Sequence, residues 1–279
     1  MKTQPTLSPI DSLKWYASMD VDAVLSTDSN RWNEPKKVVV ETSSSEMLAF
    51  SGISSQQKKT TNEDFSQTNK IQENTNISKN DARALADAAT TIDQLKSSLL
   101  SFKGCELQKT ATNTVFADGI PTSKIMFIGE APGASEDSTG IPFCGESGKL
   151  LDNMISTIGL SRTKNIYITN TIFWRPPANR RPTPEEIEIC RPFVEKHIAL
   201  VQPELLILVG STAVTSLLGD LQISKIRQEY YQYQNQYLTK PITTTALFHP
   251  AYLLRQPFQK KATWYDLLKI QEFSDKISK

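Results

Sequence analysis

Short apolar runs alternate with longer amphipathic stretches along the second half of the chain. The apolar runs predict strands at residues 124–128, 165–169, 205–209 and 242–247. Apolar residues at helical spacing predict helices at residues 148–158, 184–201, 212–218 and 263–273. This alternation predicts an α/β fold, a three-layer α/β/α sandwich around a central, mainly parallel sheet of four strands.

The first 100 residues follow a different pattern. Apolar spacing over residues 10–33 predicts a short N-terminal helical segment within residues 1–40. Residues 41–80 include 22 Ser, Thr, Asn or Gln among 40 positions. So polar a segment buries too little apolar surface to offset its ordering entropy, and we expect a disordered linker. Residues 80–100 again show helical spacing, and the folded domain is predicted to span residues 92–273.

Composition excludes several classes of protein. The 279 residues carry a formal net charge of +1, so contact with nucleic acid would need a local basic patch. The start, MKTQPTLSPID, lacks the apolar core of a secretory signal, and no apolar run approaches the roughly 20 residues that span a bilayer. Three cysteines, an odd number, argue against a disulfide framework. We therefore expect a soluble protein in a reducing, intracellular compartment.

The segment at residues 124–151, KIMFIGEAPGASEDSTGIPFCGESGKLL, is the most informative stretch. A buried strand that runs into the turn GEAPG would end at the edge of a parallel sheet, where ligands bind. GESGK suggests a phosphate-binding loop, but that motif fails. Phe143 stands where the first glycine is required, and Leu150 stands where Ser or Thr would bind magnesium.

Several separated motifs, in order, resemble one known family. They are GEAPGASED and IPFCGESGKLLDNM, then YITNTIFWRPPANRRPTPEE, ICRPFVEKHI, LLILVGSTA and FHPAYLLR. Together they resemble a uracil-DNA glycosylase of the family 4 type, the class that usually carries an iron–sulfur cluster, over roughly residues 92–273. The resemblance implies a DNA repair enzyme that hydrolyses the N-glycosidic bond of uracil in DNA, releases free uracil and leaves an abasic site.

The resemblance also implies a base-binding pocket. Phe143 would stack on the extruded uracil, and the Asn170 amide would pair with its N3–H and O4 edge, because an amide offers a donor and an acceptor side by side. His249 would face O2 and stabilise the departing anion. The alternatives are that Phe143 is a core residue, that Asn170 caps the next helix and that His249 is a hydrogen-bonded core histidine. His197, within a helical run, is predicted to be structural.

The group that activates water is less well defined. Ala131 occupies the position at which better-known uracil glycosylases place an Asp, as is usual for this family, and with Gly133 it would line the base pocket. Glu136 is the first candidate for orienting water and stabilising an oxocarbenium-like state, and Glu130 is the second. Asp137 is a weaker candidate.

DNA contacts are expected from two short basic stretches. Basic and polar side chains there suit phosphate groups, although a solvated surface would have the same composition. They are Arg175, Asn179, Arg180, Arg181, Arg255, Lys260 and Lys261. Leu253 and Leu254 could insert into the base stack that the extruded nucleotide leaves, or pack at the start of a helix.

The chain departs from the family at the four positions that hold the [4Fe–4S] cluster. Phe102, Cys105, Trp174 and Cys190 occupy them, so two of four thiolate ligands are replaced by aromatic side chains. Cys144 belongs to the pocket motif. We therefore predict that no cluster is bound, that no metal or other cofactor is needed, and that Phe102 and Trp174 fill the vacated volume.

Two readings of the activity follow. The first is a monomeric, monofunctional glycosylase acting on uracil-containing DNA, cytoplasmic and nucleoid-associated in a bacterial-type cell, without a membrane partner. The second is a weakly active or non-catalytic DNA-binding scaffold of replication or repair, whose N-terminal region recruits a protein partner. Retention of Phe143, Asn170 and His249 favours the enzyme. A variant that traps uracil-DNA through a loop histidine is disfavoured, because residues 178–183 contain no histidine.

Overall fold

A computed structural model describes residues 62–277, with side chains from residue 75 onward. The predicted segment at residues 1–40 and the first part of the predicted linker, residues 41–61, lie outside the described residues. The strands are β1 (Asp118–Gly119), β2 (Ile125–Gly129), β3 (Tyr167–Asn170), β4 (Leu205–Val209), β5 (Tyr231–Tyr233) and β6 (Ile242–Leu247). The α-helices are α1 (Asn62–Ala88), α2 (Ile92–Ser101), α3 (Ala134–Thr139), α4 (Glu146–Ser156), α5 (Pro184–Val201), α6 (Ser211–Leu218), α7 (Ile223–Ile226), α8 (Pro250–Arg255) and α9 (Lys260–Ile277).

One mixed sheet organises the described residues, with strand order β1-β3-β2-β4-β6-β5. Its four central strands are parallel and correspond to the four predicted strands. The predicted count of four is corrected to six, because β1 and β5 pair antiparallel at the two edges. These edge strands are two and three residues long and lack an apolar run, so they leave no signal in the hydrophobic pattern.

Both faces of the sheet are buried, as the unbroken apolar runs require. Along β2, Met126 and Ile128 join a core with α1, α2, α5 and α6, whereas Ile125 and Phe127 join a second core with α4, α8 and α9. The structure therefore confirms the three-layer α/β/α architecture. Of the helices it describes, none is long and apolar enough to cross a membrane.

Helix α1 corrects the prediction of a linker over residues 41–80, since residues 62–80 lie within this helix. Ala82 and Ala86 are fully buried in the core shared with α5. Lys79 forms an ion pair with Glu188 of α5 at 2.5 Å. Packing against α5 supplies the stabilisation that the polar composition does not indicate. The folded unit therefore starts before residue 92, the predicted boundary.

Helix α5 begins where the Thr183-Pro184 pair predicts. The Thr183 hydroxyl accepts a hydrogen bond from the Glu186 backbone N–H at 3.3 Å, and the Glu186 carboxylate accepts one from the Thr183 N–H at 2.8 Å. This reciprocal capping box satisfies two of the free N–H groups at the helix start. It also fixes Glu186 beside the loop at residues 175–183, which lies next to the candidate site.

Candidate active site

The four parallel strands each deliver one element of a pocket at their carboxyl ends. Gly129 ends β2, Asn170 ends β3, Gly210 follows β4 and His249 follows β6. The pocket has a volume of about 990 Å³ and is lined by residues of the GEAPG turn, the α3–α4 region, the loop at residues 176–181 and α8. It lies where ligands bind in open α/β sheets.

Two predicted site residues, Phe143 and Asn170, meet at the backbone of Gly129. A Cβ atom at this position would lie 2.3 Å from Phe143 Cζ and 2.4 Å from Asn170 Oδ1. Both groups therefore occupy the space directly above the Gly129 backbone. The structure brings together an aromatic ring and an amide from sequence positions 27 residues apart, and only glycine leaves room for them.

The Asn170 side chain is 2 % exposed, and its Oδ1 atom has no hydrogen-bond partner among the described residues. A buried acceptor without a donor is unfavourable by about 1–3 kcal/mol. Such groups are rare in folded proteins and call for an explanation. At the end of β3, facing the pocket, this oxygen is available to an N–H group of a bound ligand.

The Phe143 ring stands between the Gly129 backbone and His249. The centroids of the Phe143 and His249 rings are 5.9 Å apart, with an interplanar angle of 31°. Phe143 has φ of +53°, in the left-handed region, which is uncommon for residues other than glycine. Phe143 is also buried, with 6 % of its surface exposed, and packs with the core that contains α4, α8 and α9.

His249 caps α8 and presents one nitrogen to the pocket. Its Nδ1 atom accepts a hydrogen bond from the Ala251 backbone N–H at 3.2 Å. In the neutral ring the proton therefore resides on Nε2, which has no hydrogen-bond partner among the residues that the structure describes. Burial lowers the pKa of His249, an effect that the nearby Glu130 carboxylate partly opposes. The second histidine, His197, is fully buried and bonded to the Tyr167 hydroxyl at 3.0 Å, as expected for a structural residue.

Glu136 lines the pocket, but backbone N–H groups occupy both oxygens of its carboxylate. Oε2 accepts from Gly133 at 3.0 Å, and Oε1 accepts from Cys144 at 3.0 Å and from Gly145 at 2.9 Å. Asp137 points away and accepts hydrogen bonds from the backbone of residues 112 and 113. The three hydrogen bonds of Glu136 tie the GEAPG turn to the loop that carries Phe143.

Glu130 is the carboxylate that remains available. It lines the pocket beside Ala131 and Gly133, and its side-chain oxygens accept no hydrogen bond from the described residues. Its charge acts on His249 and favours the protonated imidazole. Of the two predicted carboxylates, Glu136 is thus engaged in holding the loop, whereas Glu130 is not.

The basic stretch at residues 175–181 is only partly free for DNA. The Arg180 guanidinium forms hydrogen bonds of 2.9 and 2.6 Å with the two oxygens of Glu186. Arg180 is exposed and lines the pocket, so its predicted contact with a phosphate stays a prediction. Arg175 donates to the Asn179 side chain at 2.7 Å. Asn179 and Arg181 are exposed and lie on the pocket rim.

The two leucines of α8 have opposite environments. Leu253 is 0 % exposed and packs in the core with α4 and α9, which corrects the prediction that it enters DNA. Leu254 is 45 % exposed and lines the pocket with Arg255. Lys260, predicted to contact DNA, is buried, with only 7 % of its surface exposed. On a short helix, sequence alone does not distinguish the buried leucine from the exposed one.

The four positions of the family's cluster form a buried contact in this chain. Phe102 lies 6.5 Å from Trp174 and 5.3 Å from Phe193, centroid to centroid, and the Trp174 indole donates to Thr114 at 2.9 Å. A hydrogen bond from the Cys190 thiol lowers the pKa of Cys105, whereas that bond and burial raise the pKa of Cys190. A set of two thiols and two aromatic rings does not fit a cluster that needs four thiolates.

Elsewhere in the part of the chain that the structure describes, no group of three or more His, Cys, Asp or Glu side chains is placed to hold a metal ion.

Tyr252 and Phe248, whose rings are 5.1 Å apart, also line the pocket and were not predicted. Phe248 is backed by the Arg227 guanidinium, 3.8 Å from the ring centroid. Because Phe248 and Tyr252 flank His249 in sequence, their position could have been inferred from it.

The pocket at the carboxyl edge of the sheet combines an aromatic ring with a buried amide whose oxygen has no partner among the described residues, an arrangement suited to a planar, polar ring. A model of the uracil DNA glycosylase superfamily matches residues 116–268. The chain therefore belongs to the uracil-DNA glycosylase superfamily.

Type-4 uracil-DNA glycosylases are among the proteins to which the chain is similar in sequence. The type-4 uracil-DNA glycosylase of Archaeoglobus fulgidus is 36% identical over 191 residues, which cover 67% of this chain and 94% of that protein. The type-4 uracil-DNA glycosylase of Sulfurisphaera tokodaii is 35% identical over 190 residues, covering 66% and 85% respectively. That of Thermotoga maritima is 37% identical over 153 residues, covering 54% and 77%.

Proposed function

We propose that this protein is a uracil-DNA glycosylase of DNA repair that hydrolyses the N-glycosidic bond, releases uracil and leaves an abasic site. The observation that carries the proposal is the convergence of Phe143, Asn170 and His249 on one pocket above Gly129. These groups come from three separate parts of the chain. A scaffold that only binds DNA would have no need of an unpaired, buried amide oxygen beside an imidazole donor.

Each group has a defined task toward an extruded uracil. The Phe143 ring stacks on the base, and the buried Asn170 oxygen accepts from the base N3–H while its NH₂ donates to O4. Cytosine presents an acceptor at N3 and a donor at N4, the reverse of uracil, so an Asn170 amide held in this orientation would face an acceptor with its oxygen. A site that is built to hydrogen-bond an N–H group discriminates against an analogue without that group by a factor on the order of 10⁴–10⁵.

His249 stabilises the leaving group. As the glycosidic bond breaks, its electron pair goes to the base, and negative charge grows on O2. Neutral imidazole with its proton on Nε2 donates to that oxygen from a half-buried position in the pocket. One such donor stabilises the transition state by about 3–4 kcal/mol.

Water completes the hydrolysis at the sugar. We assign Glu130, whose carboxylate is unbonded among described residues, to orient this water and to stabilise the positively charged sugar. We assign Glu136 to holding the Phe143 loop through its three backbone contacts. No lysine is among the described residues that line the pocket, which supports direct hydrolysis over a covalent amine intermediate.

The test is release of uracil from oligonucleotides that contain a single uracil, single- or double-stranded, scored as abasic sites. We expect release of the base from oligonucleotides that contain uracil and no release from matched oligonucleotides with cytosine or thymine at that position. Folded protein that binds the uracil oligonucleotide but releases no base would refute the enzyme and support the scaffold.

We further propose that activity is independent of an iron–sulfur cluster. Two aromatic side chains packed against each other support this, because they occupy ligand positions and supply no thiolate. Purified protein is expected to contain no stoichiometric iron, and its rate of uracil release should be unchanged after treatment with a chelator and an oxidant. Stoichiometric iron whose removal abolishes release would contradict the proposal.

Leu254 is proposed to fill the gap left by the extruded nucleotide, since it is an exposed apolar side chain on the pocket rim. Leu254→Ala should lower uracil release from duplex DNA several-fold more than from single strands, where no stack must be held open. Leu253→Ala is the matched control. It should lower the free energy of unfolding by about 2–5 kcal/mol without a strand preference. Equal losses on both substrates for Leu254→Ala would argue against the role.

A further inference from the structure

Arg162 lies next to the Phe143 loop, and all three nitrogens of its guanidinium form hydrogen bonds. Nη1 donates to the Pro142 carbonyl at 2.5 Å, and Nη2 donates to the Phe143 carbonyl at 2.5 Å. On the other side, Nε donates to Asp152 of α4 at 2.8 Å, and Nη1 lies 3.2 Å from Asp118 of β1. The side chain is 13 % exposed, and it is not among the residues that line the pocket.

The loop has a physical need for such a cation. Two successive carbonyls, of Pro142 and Phe143, point toward the same place and repel each other unless a shared donor lies between them. Phe143 also adopts the left-handed backbone conformation, which surrounding structure must impose on a residue with a Cβ atom. On the far side, Gly148 leaves no space, because a Cβ there would lie 1.7 Å from the Phe143 oxygen.

The orientation of this peptide decides where the Phe143 ring lies. The Pro142 and Phe143 carbonyls belong to the two peptide planes that flank Phe143 Cα, and these planes together set the direction of the Cα–Cβ bond. Rotation of the two planes would swing the ring away from Gly129 and from His249. Arg162 is suited to prevent this rotation, since its planar fork binds two acceptors at once and is itself anchored by two carboxylates. Lysine has one point donor and a flexible stem and would not fix both carbonyls.

We infer that Arg162 is a positioning residue for the reaction, which holds the Pro142–Phe143 peptide so that the Phe143 ring faces the extruded base. The inference rests on the proposed function, because it takes the ring to be the base-stacking group. Arg162 acts through Phe143 and does not touch substrate, and its charge serves the loop and not the DNA phosphates.

A double-mutant cycle between Arg162 and Phe143 tests this inference. Single-turnover rates of uracil release and affinities for the uracil oligonucleotide are measured for wild type, Arg162→Lys, Phe143→Ala and the double variant. We expect Arg162→Lys to lower the rate about tenfold, with affinity for DNA changed less than about twofold. In the Phe143→Ala background the same substitution should have no further effect on the rate.

Asp152→Asn is the matched control, because it removes an ion pair of Arg162 and leaves both carbonyl contacts in place. It should lower the melting temperature by about as much as Arg162→Lys and leave the rate within about twofold. A rate loss in Asp152→Asn equal to that in Arg162→Lys would overturn the inference. So would additive losses for Arg162 and Phe143, or failure of Arg162→Lys and Arg162→Gln to fold.

Failure of the proposed function would be seen separately, as wild-type protein that releases no uracil. In that event the same four proteins are compared by the ratio of their affinities for uracil-containing and thymine-containing oligonucleotides. Loss of that preference in Arg162→Lys, without further loss in the double variant, would still support the positioning role. An unchanged preference would overturn it.

Discussion

His249→Ala is expected to lower the single-turnover rate of uracil release by about 10²–10³-fold and to leave DNA affinity nearly unchanged. The imidazole meets the charge that develops on the leaving base and has little to bond in the ground state. The substitution also removes the acceptor for the Ala251 N–H at the start of α8. His249→Asn separates these effects, because an Asn side chain is a good helix cap but does not place a donor where Nε2 lies. A similar rate loss in both variants would assign the loss to chemistry, whereas recovery in His249→Asn would assign it to the cap.

The pH dependence gives an independent readout of the same residue. Burial lowers the pKa of His249, so the neutral donor stays dominant at the ordinary histidine value of 6.5 and is lost only as the pH falls through the lower folded pKa. The rate of wild type should therefore be level above pH 6.5 and decline on the acid side. Arg255 contributes to the lowering, so Arg255→Gln should raise the pKa and move the acid limb to higher pH. An acid limb that persists unchanged in His249→Asn would belong to another group.

Gly129→Ala is the second substitution for which we expect a large effect, a loss of about 10²-fold in the rate of uracil release. The new methyl would overlap Phe143 Cζ and Asn170 Oδ1, which lie 2.3 and 2.4 Å from its position, so both base-binding groups must shift. No catalytic atom is removed. The measurement is the single-turnover rate, together with the selectivity for uracil over thymine.

Gly159→Ala is the control for Gly129→Ala. Gly159 has φ of +77° and open space around the position of a Cβ, and it lies away from the pocket. Its substitution should therefore lower stability through backbone strain by about 1 kcal/mol without an effect on the rate. If Gly129→Ala retained the wild-type rate, Phe143 and Asn170 would not need their present positions, and the proposed base pocket would be wrong.

The sequence pattern predicted the strands at the centre of the sheet. β4 and β6 have the predicted bounds: every residue of β4 (LLILV) is buried, and so is every residue of β6 (ITTTAL) except Thr243, because both faces of the sheet are covered. The pattern missed β1 and β5, whose pairing depends on the edges they cover. It also missed the first part of α1, because the composition of that segment is polar.

The site was predictable in its members but not in their contacts. The resemblance identified Phe143, Asn170 and His249, and the structure places them together. It did not reveal that Glu136 bonds a backbone eight or nine residues away, or that Arg162 bonds two carbonyls of the same loop. Such contacts depend on the path of a loop, and loop paths follow from tertiary packing that local residue preferences do not encode.

The packed contact between Phe102 and Trp174 has a consequence for how the protein becomes functional in a cell. An inorganic cluster must be built anew in each molecule from iron and sulfide, by dedicated machinery, and air can destroy it. The Phe102 and Trp174 side chains, 72 positions apart, are part of the chain as soon as it has been translated. Under the proposed cluster-independent activity, the amount of working protein would follow synthesis and folding alone. Scarcity of iron or exposure to oxygen would then leave its capacity intact.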